Sequence, residues 1–267
     1  MALKLTDLRS WLVVLRDAAL MRPHPAAIAA TPDDKEIDGY LARLAALLLA
    51  GEWVMRRLDR NLLQGLVAFA EPLRRMPELK AHHPGFAVLD GMVAARRVVA
   101  ESTFLVPPYV INGAVEVATL VGVAILISWS VRPVPPPARA ATGAALSALV
   151  SGSLFGVVVG WLLLRAAEVS GFLAKARAVQ AAASDAELLA ALQGAMELLW
   201  IVGLFSLLGL LPIIAEAVVL ARALRAFGAR RGLAWPGAAT AAVLSNASIP
   251  LMDAFGIRRL LYLLAAD

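Results

Sequence analysis

Apolar positions near the start of the chain recur at helical spacing, and beyond Phe104 they merge into long runs almost free of charge. Leu8, Trp11, Leu12, Leu15, Ala18 and Ala19 fall on one helical face, with Asp7, Arg9, Arg16 and Asp17 off it, which predicts an amphipathic helix facing a membrane surface or a partner. Its apolar centre, Trp11 to Leu15, is too short for a secretory signal. Thr31-Pro32-Asp33-Asp34 reads as an N-cap followed by proline at the first helical position and acids in the first turn, so a helix is expected from Pro32 to about Asp59. The stretch Leu44 to Met55 is strongly apolar, but Arg43 and Glu52 bracket a run well short of the roughly 20 residues a bilayer demands. This predicts a buried or interfacial helix, with a cryptic membrane span as the alternative. Asn61 is placed as the cap of a second short helix ending before Pro72, and Phe86 to Val99 as a third.

Four later segments suit hydrocarbon. Residues 105–130 carry Glu116 as their only charge and extend about 39 Å as a helix, and residues 140–164 carry none. Between them Pro133, Pro135, Pro136 and Pro137 make a stiff link. The second run is expected to continue as helix until Ser184-Asp185-Ala186-Glu187, a capping box that starts the next helix. A third span is placed at 197–220, kinked at Pro212, and a fourth at 236–252. After Pro250 an interfacial or re-entrant tail is expected, because Asp253, Arg258 and Arg259 make a single crossing costly. The expected fold class is therefore all-α: a polytopic membrane helix bundle of about four spans, residues 104–267, behind an amphipathic helical region, residues 1–103, that is soluble or lies on the membrane surface.

Composition agrees with lipid as solvent: 60% of the 267 residues are hydrophobic and the mean hydropathy is +0.75. Cysteine is absent, which removes disulfides, thiolate nucleophiles and cysteine-ligated metal sites. The net charge of +5 is spread along the flanks of apolar segments rather than gathered with aromatic residues, a pattern that favours lipid headgroups over nucleic acid. Basic residues divide almost evenly between the two sides, so the positive-inside rule sets no orientation. A cytoplasmic N-terminus is expected because the charged residues 1–103 have no signal to carry them across. Richness in alanine and arginine suggests a GC-rich bacterial source and hence the cytoplasmic membrane.

Two sets of residues stand out. Gly152, Gly156 and Gly160 form a small-residue ridge that lets a neighbouring helix approach closely, and Ala114, Ala118 and Gly122 offer a matching ridge on the first span. They predict packing of the first two spans on each other, or an interface between copies of the chain. Glu116, Ser151 and Asn246 lie at similar depths in their spans and are expected to converge, either as interhelical hydrogen-bonding partners or as part of a proton or cation path.

No catalytic or cofactor-binding set emerges. Ser151 and Ser153 have no histidine in any span to act as base, and adjacent His82 and His83 near Glu78 diverge on a helix, which disfavours a metal site. Asn246-Ala247-Ser248 matches a glycosylation sequon but lies in an apolar segment. No phosphate-cradling glycine loop or zinc-hydrolase helix occurs. The sequence thus points to a non-enzymatic membrane subunit or scaffold with a protein partner or a homo-oligomer, and secondarily to an oligomeric proton or cation channel or transporter subunit using Glu116 and Asn246.

Overall fold

The computed structural model describes residues 8–23, 35–73, 108–131, 136–182, 184–196 and 207–254. The expected helix at 86–99, the histidines, residues 197–206 of the expected third span and the tail after Ala254 lie outside them. The fold is all-helical, with no strand among the described residues. Its helices are α1 (Leu8–Ala19), α2 (Lys35–Leu73), α3 (Pro108–Val131), α4 (Ala138–Val169), α5 (Phe172–Ala181), α6 (Asp185–Met196), α7 (Leu210–Ala226) and α8 (Arg231–Ala254).

Local chemistry explains most boundaries. Pro108 opens α3, where its missing N–H costs nothing, and the Pro137 carbonyl receives the Ala141 N–H at the start of α4. Ser184 caps α6 as expected, its hydroxyl accepting the Glu187 N–H at 3.3 Å. Gly228, with φ 94°, ends α7: the Ala229 N–H bonds the Leu224 carbonyl and the Gly228 N–H bonds that of Arg225, a Schellman closure. The same pair of bonds closes α1, from Arg22 to Asp17 and from Met21 to Ala18, with Met21 in the left-handed position at φ 50°.

Several boundaries depart from expectation. Helix α2 runs unbroken through Asn61 for 39 residues, because no proline or glycine flanks the asparagine and its propensity cost inside a helix is small. Gly171, with φ 74°, stops α4 at Val169 before α5 begins. Helix is interrupted at Gly209, and Pro212 falls in the first turn of α7 just beyond that break. Helix α8 starts at Arg231, ahead of Trp235-Pro236.

The chain divides into two compact units, residues 1–54, 104–157 and 210–267 forming the first and residues 55–103 and 158–209 the second. Residues 1–54 thus group with the apolar helices. In the first unit, α8 packs on α7 and on α3. Val14, Ile37, Leu44, Leu120, Leu149, Val219, Leu220 and Leu224 fill its core, with a bed of alanines from α4, α7 and α8. In the second unit α5 packs on α6, and Val159, Leu163, Leu164, Phe172, Val179 and Leu188 are buried. Arg165 there pairs with Glu168 at 2.9 Å and lies over the Trp161 ring.

Among the described residues two helices, α3 (Gly113–Ser130) and α4 (Ala138–Val169), are long and apolar enough to cross a membrane; residues 197–206 of the expected third span lie outside them. The two helices differ in setting: 61% of the α4 window is buried, whereas only 17% of the α3 window is. Leu126 and Trp129 of α3, at 60% and 58% exposure, face away from the protein.

Candidate functional site

The first unit has an interior polar layer to which α2, α3, α4, α7 and α8 all contribute. From α7, Glu216 is 5% exposed, within a run of the helix where Ala215, Ala217 and Val219 are buried too. A carboxyl here needs a donor and room. Asn246 on α8 supplies the donor, its Nδ2 bonding Glu216 Oε2 at 2.9 Å while also reaching the Ala242 carbonyl at 2.9 Å. Gly152 on α4 supplies the room: a Cβ there would lie 2.6 Å from Glu216 Cγ and 2.9 Å from its Cδ, so only glycine leaves the carboxyl this place. Two further carboxyls complete the layer, since Glu116 of α3 and Glu52 of α2 are both close enough to repel Glu216, and Glu52 repels Glu116.

Ser153 follows Gly152 on α4, and its hydroxyl meets Gly51 of α2, where any side chain would collide with it. The Ser153 Oγ is buried with no hydrogen-bond partner among the described residues. Leu48, one turn before Glu52, approaches Gly113 of α3 at 3.9 Å from where a Cβ would stand. Glycines at 51, 113 and 152 therefore draw α2, α3, α4 and α7 together around the carboxyls.

The residues singled out from the sequence separate into different settings. Asn246 is in the layer, bonded to Glu216, and Glu116 borders it. Ser151, fully buried, points elsewhere: its hydroxyl donates to the Ala18 carbonyl at the end of α1 at 2.9 Å. Arg222 of α7 holds the same chain end, donating to the Leu20 carbonyl at 2.8 Å and to that of Met21. These bonds dock α1 by Val14, Asp17 and Ala18, leaving Leu8, Leu12 and Leu15 of its leucine face exposed. The glycine ridge also divides. Gly152 receives Glu216, Gly156 is buried, and Gly160 in the second unit faces Met55 and Leu58. The opposing ridge of Ala114, Ala118 and Gly122 is exposed, and Gly122 has nothing within 4 Å of where a Cβ would stand.

Comparison with known proteins returns no match, whether to a family model, to a curated protein or to a solved structure. Function must therefore be argued from the site alone.

Glu216 and Glu52 were not among the residues the sequence singled out. The available signal was Gly152, a glycine with no turn to make in a 32-residue helix, which marks a bulky neighbour. Chemically the layer can exchange protons or hold a cation by its carboxyl oxygens, but no group of His, Asp and Glu among the described residues has the arrangement of a metal site.

Proposed function

We propose that the chain is a non-enzymatic integral membrane subunit that organises a partner in the bilayer through the outward face of α3. The single supporting observation is the setting of that helix: an apolar segment of crossing length, mostly unburied, with the small-residue ridge Ala114, Ala118 and Gly122 open on its outer side. In water such a face would be costly, and in lipid a ridge of small residues is where a second helix packs closely. The partner is a transmembrane helix, from another copy of this chain or from another protein. Replacement of both Ala118 and Gly122 by leucine tests this. Loss of the associated species in a mild detergent, with the remaining particle still folded, is the expected result. A wild-type particle that is monomeric when gently extracted, and indifferent to the double substitution, overturns the reading.

The polar layer favours a second reading, passage of protons or cations between the helices. Carboxyls of Glu52, Glu116 and Glu216 beside Asn246 are the kind of intramembrane groups that such paths use. Purified protein reconstituted in vesicles with a pH-sensitive dye is then expected to dissipate an imposed proton gradient, and Glu116→Gln and Glu216→Gln each to abolish the leak. Vesicles as tight as protein-free controls reject this second reading and leave the first intact.

A further inference from the structure

We propose that α2 is itself a membrane crossing, parallel to α4, with its outward face in lipid hydrocarbon. This rests on the membrane reading above and goes beyond it, since the charges of α2 exclude it from the apolar candidates.

The direction of α2 follows from its contacts inside the first unit. Asp38 pairs with Arg139 at the start of α4 at 3.7 Å, and Gly51 meets Ser153 further along both helices. The two helices therefore run side by side in the same direction. Helix α3 runs the other way, joined to α4 by the short link 132–137, and its early residue Gly113 lies against Leu48 of α2. If α3 and α4 cross the bilayer, residues 38–54 of α2 occupy the same depth beside them. The part of α2 in this unit, residues 35–54, has a helical length of about 30 Å, the hydrocarbon thickness.

The surface of α2 agrees. Its inner stripe is Ile37, Tyr40, Leu44 and Leu48, and its outer stripe is Ala46, Leu49, Ala50 and Trp53, all exposed. A helix on a soluble domain turns charge outward, whereas one apolar on both sides is enclosed by protein or lipid. Among the described residues no helix covers the outer stripe, which is the surface a lipid-facing side presents. The two charges within residues 39–55 have places that lower their cost. Glu52 borders the carboxyl layer with Glu116 and Glu216. Arg43 is about 7.5 Å along the helix from Asp38, and its Nε is buried against the protein rather than turned to the outer stripe.

Tryptophans mark both edges. Trp129 and Trp235 lie next to the contact between Ile127 and Gly237, at the end where α3 finishes and α8 starts, and both are exposed. Trp53 is exposed about 22 Å along α2 from Asp38. Tryptophan favours the interfaces of a bilayer, where its ring meets the headgroups.

The natural absence of cysteine makes the test direct. Single cysteines at Asp38→Cys, Ala46→Cys, Leu49→Cys, Arg57→Cys and Arg230→Cys are probed with a membrane-impermeant maleimide on right-side-out and inverted vesicles. Asp38→Cys and Arg230→Cys are expected to label from one side, Arg57→Cys from the other only, and Ala46→Cys and Leu49→Cys from neither. Labelling of Asp38→Cys and Arg57→Cys from the same side overturns the proposal, as does water access at both Ala46→Cys and Leu49→Cys, or Arg230→Cys facing away from Asp38→Cys. Alkaline carbonate extraction separates the two failures: release of wild-type protein rejects the membrane reading, while retention with the wrong labelling rejects only the crossing of α2. If a cysteine variant fails to accumulate, protease access to tags on the wild-type N-terminus and in the turn between α7 and α8 decides the same question: both tags cut from one side support the crossing, and tags cut from opposite sides overturn it.

Discussion

Gly152 is the position at which one methyl group interrogates the whole polar layer. In most helices alanine in place of glycine stabilises by about 1 kcal/mol, because it restricts the unfolded chain and favours helix. At Gly152 the new Cβ falls under 3.0 Å from Cγ and Cδ of Glu216 and also meets its Oε1. Glu216 cannot swing aside freely, being 5% exposed and bonded to Asn246. Overpacking of this kind costs about 1–3 kcal/mol, and displacing the carboxyl adds about 1 kcal/mol for the lost hydrogen bond. The helix gain offsets part of this, which leaves Gly152→Ala destabilising by about 1–3 kcal/mol. Gly122→Ala, on the same scale, is stabilising by up to about 1 kcal/mol in the dissociated chain, where nothing stands within 4 Å. At about 2–4 °C per kcal/mol, the detergent-purified variants should melt several degrees apart, on opposite sides of wild type. Heating aliquots and following the surviving particle by fluorescence-detected size exclusion gives the order. The decisive control is Glu216→Ala: in that background the obstruction is gone and Gly152→Ala should turn stabilising. If Gly152→Ala instead melts with Gly122→Ala, or behaves alike with and without the Glu216 side chain, the proposed approach of α4 to α7 is wrong.

Three further outcomes follow from the same contacts. Ser151→Ala removes the bond to the Ala18 carbonyl, about 1 kcal/mol, and hydrogen exchange at Leu20 to Arg22 should speed up roughly fivefold while the α7 and α8 amides are unchanged; unchanged exchange would mean that α1 is held some other way. Asn246→Ala strips the donor from buried Glu216 and should lower stability by about 1–3 kcal/mol, with most of that loss absent in a Glu216→Ala background. Gly228→Ala places a Cβ at φ 94° and should cost about 1 kcal/mol or more in melting experiments, whereas Ala229→Gly, just outside the left-handed position, should not reproduce it.

How far these features were legible in the sequence differs by element. Helix α4 was plain, since a charge-free run between a proline link and Arg165 has few alternatives, and Ser184 announced the start of α6 through its own side chain. Helix α2 was less legible because Arg43 and Glu52 interrupt its hydropathy; whether an interrupting charge ends a buried segment or turns into a polar layer depends on what α3 and α7 bring to meet it, and that information is not local. The same holds for the glycine ridge. Small residues at four-residue spacing predict close approach, yet not the identity of what approaches, and at Gly152 it is a carboxyl from α7 rather than the backbone of α3. Ser151 and Asn246 share a depth along their helices but lie on faces with different neighbours, so spacing along the chain could place them at one level without joining them.

Everything functional here depends on α3 and its neighbours being surrounded by hydrocarbon. Static light scattering with refractive-index and absorbance detection on the purified chain measures the amphiphile it carries. A substantial bound detergent belt and rapid aggregation when detergent is withdrawn are expected; a monodisperse particle that binds no detergent and stays dispersed in plain buffer would place α3 in water instead.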